Sequence, residues 1–287
     1  MELFRLALAS QIVSWVPQPF KYRIANLLYP FKKQQKGVDI IINYLPKKFN
    51  GLKFLLNTHD YIGWNIFLLG EYENDTNLVL KEYVKPGMTV IEAGANNGSE
   101  SVIIAHLLGP TGHLFAFEPF EKVARILNIN ILINNCDSII TLEKLALGSS
   151  EETIEFYIPK ENVSNQGEAS KYPFSSTFDS IHVKQTTLDQ WVKTKNVSRV
   201  DFIKMDVQGA EMDILEGARN TIKLMKPVIY LEADAIQSSN GNSNLDTLYR
   251  NLIELDYEIY TYIDNKKTKL LYNNIMSGNW LAIPRDE

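Results

Sequence analysis

Residues 90–98, VIEAGANNG, combine a carboxylate with glycines at a spacing that could bind a small ligand. An apolar run ends at Glu92, and Gly94 and Gly98 follow on the same bend. Glycine lets the backbone turn sharply or approach a ligand closely. A dinucleotide pyrophosphate, however, is typically bound by three glycines in a G-x-G-x-x-G pattern. Because a carboxylate beside the bend would repel a pyrophosphate and attract an ammonium group, we expect a cationic ligand without a phosphate.

A second acid, Glu118, precedes Pro119 at the end of the next apolar run. A carboxylate at this position of a nucleotide-binding sheet can accept hydrogen bonds from the ribose hydroxyls. At the bend itself, Ala95 and Asn96 are also expected to contact the ligand. If the ribose belongs to an adenosine, its adenine is expected to contact the backbone near Ala146, where a third apolar run ends. These residues predict a pocket for adenosine with a cationic amino-acid tail, which is the chemistry of S-adenosylmethionine.

Residues 203–211, IKMDVQGAE, place Asp206 and Glu211 around one turn between an apolar run and a helical pattern. Asp206 is a candidate for contacting the ligand, because it follows an apolar run at the end where ligands bind in such a sheet. The side chain of Glu211 could point to the same opening of the pocket as Asp206, or its charge could simply stabilise the N-terminus of the helix. The two acids could also hold a divalent cation, but we assign no metal site.

Two further segments could border the pocket. His59, in the stretch NTHDYIGW, is a candidate for binding the acceptor or for acting as a base, although an ordinary loop histidine has the same appearance. The polar loop at 164–180 contains Ser175, Ser176 and Thr177 and is a candidate lid over the pocket, since long loops in compact domains are often functional, although others are simply mobile.

The elements that must position these residues alternate from about residue 80 onward. Short β-rich runs are followed by helical patterns, which predicts an α/β fold with a mostly parallel sheet and helices on both faces. The predicted strands are 88–93, 112–118, 139–147, 153–158, 200–207 and 226–233, and the predicted helices are 98–108, 120–134, 209–225 and 244–257. The last apolar runs, EIYTYI, TKLLY and NWLAIP, predict a C-terminal antiparallel hairpin. In such a sheet, ligands bind beyond the carboxyl ends of the strands, where strand order reverses.

Residues 1–80 do not follow this alternation and are expected to form a basic, partly helical extension or cap, followed by a catalytic domain at 81–287. The net charge is −5, but residues 1–55 carry nine Lys/Arg against two acids, which gives +7 there and −12 in the rest. A nucleic-acid partner usually meets a basic face, so none is expected. The segment 1–50 could instead contact an anionic membrane surface, or it could be a solvated helical extension.

The single cysteine, Cys136, allows no internal disulfide and no thiolate metal cluster, which fits a reducing compartment. The apolar N-terminus is too short and too interrupted for a spanning helix, and it lacks the basic start of a typical signal peptide. We therefore expect a cytoplasmic protein that could lie peripherally at a membrane.

From about residue 51 to 284 the chain resembles the FkbM-type methyltransferases, a branch of the Rossmann-like class I enzymes that use S-adenosylmethionine. Five segments carry the resemblance: VIEAGANNG (90–98), FAFEP (115–119), NILINN (130–135), TTLDQW (186–191) and IKMDVQGAEMDILEGA (203–218). The chain departs from the family pattern at Glu92, where Asp is usual, and at Gln208, where Glu is frequent. The resemblance implies a Rossmann-like fold, S-adenosylmethionine as cofactor, and methyl transfer, usually to a hydroxyl of a sugar or polyketide-like metabolite. It also implies that Asp206 faces the methyl group, so that Asp206 is expected to contact the cofactor and to act as general base or orienting acceptor for the hydroxyl.

Two other functions compete with this interpretation. A nucleotide-dependent oxidoreductase of Rossmann type would need a third glycine at the first bend, which the sequence lacks. A non-catalytic, membrane-associated module of the same fold would need neither Asp206 nor the GANNG bend. We therefore expect an enzyme, specifically an O-methyltransferase whose acceptor is a saccharide, a glycolipid or a secondary metabolite.

Overall fold

A computed structural model describes residues 2–17, 20–30, 39–43, 52–58, 60–69, 74–160, 169–172, 178–235, 244–263 and 266–285. The helices in these residues are α1 (Glu2–Ser14), α2 (Lys21–Leu28), α3 (Tyr61–Leu69), α4 (Asn74–Tyr83), α5 (Ser101–Leu108), α6 (Glu121–Ile133), α7 (Leu188–Lys195), α8 (Glu211–Gly217), α9 (Arg219–Met225) and α10 (Leu245–Glu254). The strands are β1 (Asp39–Asn43), β2 (Lys53–Asn57), β3 (Thr89–Ala93), β4 (His113–Phe117), β5 (Ile140–Glu143), β6 (Ala146–Leu147), β7 (Glu152–Pro159), β8 (Phe178–Thr186), β9 (Phe202–Met205), β10 (Val228–Ala233), β11 (Tyr257–Ile263), β12 (Lys266–Lys269) and β13 (Gly278–Pro284).

The main sheet of the described structure has eight strands in the order β12-β11-β13-β10-β9-β3-β4-β5. The five strands from β5 to β10 in this order run parallel. β13 then lies antiparallel between β10 and β11, and β12 forms an antiparallel hairpin with β11. The predicted Rossmann-like α/β fold with a C-terminal antiparallel hairpin is confirmed.

Helices cover both faces of this sheet. One apolar core contains Ile104 of α5 and Leu127 of α6, and the other contains Leu215 of α8 and Leu252 of α10. A strand between two such layers must be apolar on both faces, which is why β3 and β9 read as nearly continuous apolar runs.

Strand order reverses between β3 and β9, which are direct neighbours. From β3 the sheet continues through β4 to β5 on one side, and from β9 it continues through β10 on the other. Ala93 at the end of β3 pairs in register with Met205 at the end of β9. The glycine bend and the turn at Asp206, which carry candidate site residues, therefore start side by side at the edge where ligands bind in such sheets.

The structure corrects three sequence-based expectations, two of them through a smaller sheet in the order β6-β8-β7. The strand predicted at 139–147 is two strands, because β5 pairs with β4 whereas β6 pairs with β8. β8 falls in a polar stretch for which the sequence predicts no strand. The helix predicted at 209–225 is interrupted at Ala218, and Gly217 before it packs so closely that a Cβ there would lie 2.0 Å from the carbonyl oxygen of Gly148.

Two asparagines of the NILINN segment fasten β2 to α6. Asn134 Oδ1 accepts a hydrogen bond from the Lys53 amide at 2.8 Å, and Asn130 Oδ1 accepts one from the Leu55 amide at 2.6 Å. Asn130 Nδ2 also donates to the carbonyl oxygen of Asn97, in the glycine bend, at 2.7 Å. Through these bonds one helix side chain holds both the bend and an N-terminal strand.

The N-terminal helices α1 and α2 pack on α3 around Trp64, whose Nε1 donates to the carbonyl oxygen of Tyr29 at 3.0 Å. Phe54 of β2 and Ile66 of α3 belong to the same core as α5 and α6. The domain boundary at residue 80 remains a prediction. No helix in the described part of the chain has both the length and the apolarity required to cross a bilayer.

Candidate active site

A crevice lies at the carboxyl ends of β3, β4 and β9. Six of the residues selected from the sequence line it: Gly94, Asn96, Glu118, Pro119, Ala146 and Asp206. Four others, Glu92, Ala95, Gly98 and Glu211, are absent from its lining and lie beside it. His59 is outside the described residues.

The bend after β3 is pressed against the end of β9. Gly94 has a φ of +79°, and a Cβ at this position would lie 1.9 Å from the carbonyl oxygen of Asp206. The amides of Gly94 and Ala95 both donate to the carbonyl oxygen of Phe117, at 3.1 and 3.0 Å. The left-handed conformation and the close contact together require glycine at position 94.

Glu118 is held in the crevice wall by backbone amides. Its Oε2 accepts from the Asn96 amide at 2.9 Å, and its Oε1 accepts from the Phe120 amide at 2.8 Å. Burial raises the pKa of this carboxyl to about 7, although both amide hydrogen bonds act in the opposite direction. Each carboxylate oxygen can accept a second hydrogen bond. Because Glu118 lines the crevice, a ligand with adjacent hydroxyls could use this remaining acceptor capacity.

Glu92 lies one layer below the crevice. It is fully buried, its Oε2 accepts a hydrogen bond from Ser101 Oγ at 2.5 Å, and Lys204 is its register neighbour on β9. Burial raises the pKa of Glu92 to about 7, and Lys204 moderates the shift. Lys204 itself forms an ion pair with Glu100. The second oxygen of Glu92, Oε1, has no hydrogen-bond partner among the described residues.

Gly98 supports the bend from behind. Its φ is +82°, and a Cβ there would lie 2.3 Å from Cδ1 of Leu127 in α6. Its amide donates to the carbonyl oxygen of Ala95 at 2.9 Å, which closes the turn. Gly98 thus lets the bend pack on α6.

Asp206 is oriented by Gln208, two residues further along the same turn. Gln208 has a φ of +55°, and its Nε2 donates to Asp206 Oδ1 and to Glu232 Oε2, each at 2.8 Å. The amide therefore joins the acid at the end of β9 to an acid on β10. A carboxyl held in one rotamer at the rim of a crevice is suited to accept a proton from a bound hydroxyl.

Glu211 turns its side chain onto its own loop. Its Oε1 accepts from the amides of Val207 and Gly209, at 3.2 and 3.3 Å. Burial raises the pKa of Glu211 to about 7, with Asp206 contributing in the same direction and the backbone amides opposing. The described residues contain no group of three or more His, Cys, Asp or Glu arranged to hold a metal ion.

Residues 169–172, inside the polar loop, are fastened across the crevice to α8. Ser170 Oγ donates to the carbonyl oxygen of Gln208 at 2.8 Å. Lys171 Nζ and the Tyr172 hydroxyl both donate to Asp213 Oδ2, at 2.7 and 2.8 Å. Because Lys171 also lines the crevice, this part of the predicted lid forms one of its walls.

Sequence reasoning missed the wall that the small sheet supplies. Ile154 and Phe156 of β7 line the crevice together with Gln185 of β8. The available signal was the alternation of Ile181, Val183 and Gln185, which puts a polar residue at an inward position.

Part of the chain matches a known protein family. The family model described as the methyltransferase FkbM domain matches residues 92–263. The chain is 28% identical over 154 residues to the 2-O-methyltransferase NoeI of Sinorhizobium fredii, covering 48% of this chain and 60% of NoeI. It is 26% identical over 235 residues to the AMB antimetabolite synthetase AmbE of Pseudomonas aeruginosa, covering 70% of this chain and 11% of AmbE. The chain thus spans less than two thirds of the length of either relative.

Among solved structures, the chain is similar to a methyltransferase FkbM from Methylobacillus flagellatus, with a TM-score of 0.45 and 14% identity over 98% of this chain and 60% of that one. It is also similar to an O-methyltransferase from Bacillus cereus in complex with SAH, with a TM-score of 0.43 and 14% identity over 75% of this chain and 83% of that one. Because the FkbM family model matches more than half of the sequence, the chain belongs to the FkbM family of methyltransferases.

Proposed function

We propose that this protein is an S-adenosylmethionine-dependent O-methyltransferase acting on a hydroxyl of a saccharide, a glycolipid or a secondary metabolite. The observation that carries the proposal is the position of Glu118, which lines the crevice and whose two oxygens each accept one backbone amide, so that each can accept one more hydrogen bond. A ribose presents two adjacent hydroxyls to such a carboxylate. The relative NoeI, described as a 2-O-methyltransferase, supports oxygen as the methylated atom.

The proposed cofactor contacts follow the crevice from the glycine bend to the small sheet. Gly94, Ala95 and Asn96 would contact the amino-acid part and the ribose through their backbone, with Gly98 keeping the bend closed. Glu118 and Pro119 would contact the ribose, and Ala146 the adenine. Glu92, which does not line the crevice, would act on the cationic tail through its charge. These residues fit a cationic nucleoside, because the acids around the bend offer no donor to a phosphate.

Asp206 is proposed as the general base or orienting acceptor. Bound S-adenosylmethionine supplies a methyl group on a positively charged sulfur. The leaving group is a neutral thioether, so its departure needs little assistance from the protein. The task left to the protein is to align the acceptor hydroxyl and receive its proton as oxygen attacks the methyl carbon. Glu211 is proposed to assist by bracing the loop that carries Asp206. His59 remains a sequence-based candidate for a second base.

Isothermal titration calorimetry tests the proposed cofactor directly. We expect S-adenosylhomocysteine to give a saturable heat signal with a 1:1 stoichiometry, and NADH to give none, because the bend lacks the third glycine of a dinucleotide-binding turn. Saturation by NADH without any response to S-adenosylhomocysteine would reject the proposal in favour of a dinucleotide-dependent oxidoreductase.

The N-terminal helices are proposed to rest on an anionic membrane surface. α1 buries Ala9 and Val13 against α3, yet its other side exposes Leu8 and Ile12, and Trp15 is exposed directly after the helix. A helix that is apolar all round is normally buried against something. Residues 2–30 carry Arg5, Lys21 and Arg23 against one acid, Glu2. This excess of positive charge favours contact with an anionic lipid surface over simple exposure to solvent.

Vesicle co-sedimentation checks this surface. Trp15 and Leu27 are 89% and 74% exposed, so a Trp15→Ser, Leu27→Ser variant should fold normally. We expect the unaltered protein to sediment with vesicles containing phosphatidylserine, and this variant to lose most of that binding, because apolar contact drives interfacial insertion. Leu224→Ser on α9, where the side chain is 82% exposed, is the matched control and should bind like the unaltered protein. Equal binding by all three proteins would show that the N-terminal helices do not contact lipid.

A further inference from the structure

Gln185 is a buried polar residue in the crevice wall. Its exposed fraction is 4%, and it lies on β8 in register with Ala146 of β6, so that the two side chains share one face of the small sheet. Both residues line the crevice. Ala146 is the position at which the sequence predicts the adenine, so Gln185 neighbours that site.

The orientation of the Gln185 amide is fixed by its surroundings. Nε2 donates to the carbonyl oxygen of Ser150 at 3.0 Å and to Ser150 Oγ at 3.3 Å. Since a carbonyl can only accept, the nitrogen must face Ser150 and the oxygen must face away from it. Gly148 provides room for this arrangement, because a Cβ there would lie 2.3 Å from Oε1.

The oxygen of this amide is left without a partner. Oε1 is buried and has no hydrogen-bond partner among the described residues. Of the crevice-lining side chains that the structure describes, Gln185 alone has such an atom. A buried acceptor without a donor is unfavourable, so a ligand N–H at this point would restore a hydrogen bond that folding removed.

We propose that Gln185 Oε1 accepts a hydrogen bond from the exocyclic amino group of the cofactor's adenine and selects adenine over 6-oxopurines. This inference rests on the proposed function. The neighbouring wall is apolar, with Ile154 and Phe156, as expected around the faces of a flat base. Adenine presents an N–H donor at its 6-position, whereas hypoxanthine presents a carbonyl oxygen there, which would oppose Oε1.

Calorimetry with two nucleosides tests the assignment. We expect the unaltered protein to bind S-adenosylhomocysteine about tenfold more tightly than S-inosylhomocysteine, the size expected for one hydrogen bond gained or lost. Gln185→Met keeps the length of the side chain but removes the acceptor, and it should reduce this ratio about fivefold or more. Gln190→Met, on the exposed face of α7, is the matched control and should keep the ratio.

The ratio separates this inference from the proposed function and from simple loss of structure. A general weakening of the site would lower both affinities and leave their ratio unchanged, and Gln185→Leu provides a second variant if Gln185→Met unfolds. Equal affinity of the unaltered protein for both nucleosides, or an unchanged ratio in the folded variant, overturns the role of Gln185. Failure of the unaltered protein to bind S-adenosylhomocysteine overturns the proposed function instead.

Discussion

Replacing Asp206 with asparagine is expected to lower the rate of methyl transfer by about 10²- to 10⁴-fold, the usual contribution of a general base. Asparagine keeps the shape of the side chain and an oxygen that can accept from Gln208 Nε2, now 2.8 Å from Asp206 Oδ1. What it loses is the ability to take a proton. The affinity for S-adenosylhomocysteine should therefore stay within about threefold of the unaltered value, since asparagine keeps the size of the side chain and its hydrogen bond with Gln208.

The measurement pairs a steady-state methyl-transfer assay, on an acceptor identified by its mass increase, with calorimetry on the same protein samples. Asp137→Asn, an exposed acid after α6, is the control and should leave both quantities unchanged. Undiminished turnover by Asp206→Asn would remove Asp206 from the role of base. A loss of cofactor affinity as large as the loss of rate would instead make Asp206 a binding residue.

Gly94→Ala should damage the site by a different route. A Cβ at position 94 would lie 1.9 Å from the carbonyl oxygen of Asp206, and the φ of +79° is unfavourable for alanine. The bend and the end of β9 would have to separate. We expect the free energy of unfolding to fall by about 1–3 kcal/mol, and the affinity for S-adenosylhomocysteine to weaken by about tenfold or more because the bend moves.

Gly87→Ala provides the control for backbone strain alone. Gly87 has a φ of +82°, but the nearest atom to its added Cβ is Thr111 Oγ1 at 3.5 Å, an ordinary contact. Chemical denaturation should show a loss of stability for both variants, while calorimetry should show weakened binding only for Gly94→Ala. If Gly94→Ala bound the nucleoside as tightly as Gly87→Ala, the close contact with Asp206 would have no functional importance.

The meeting of the glycine bend and Asp206 could be predicted from the sequence, because both follow apolar runs in a strand–helix alternation. The carboxyl ends of parallel strands lie at one edge, so no side-chain detail was needed. The position of Glu92 could not be predicted in the same way. Its burial beside Lys204 depends on the register between β3 and β9, and register between strands distant in sequence has no local signal.

Glu211 shows a second kind of difference. Its place on the first turn of α8 could be read from the sequence, but its rotamer directs the carboxylate to two backbone amides of the preceding loop.

The small sheet could not be predicted from the sequence for another reason. β8 is mostly exposed on one face, so its polar residues resemble a loop, and β6 has only two residues. Gln185 was overlooked together with the strand that carries it.

Asn130 has a mechanical consequence for the whole molecule. Its carboxamide accepts from Leu55 and donates to Asn97, so the loop that would meet the methyl donor and the strand leading to α3 are tied to one point. If the loop shifts when a ligand enters, either β2 travels with it or these bonds break. A movement of this loop on ligand binding would therefore be transmitted to β2 through Asn130, and from β2 toward the N-terminal helices.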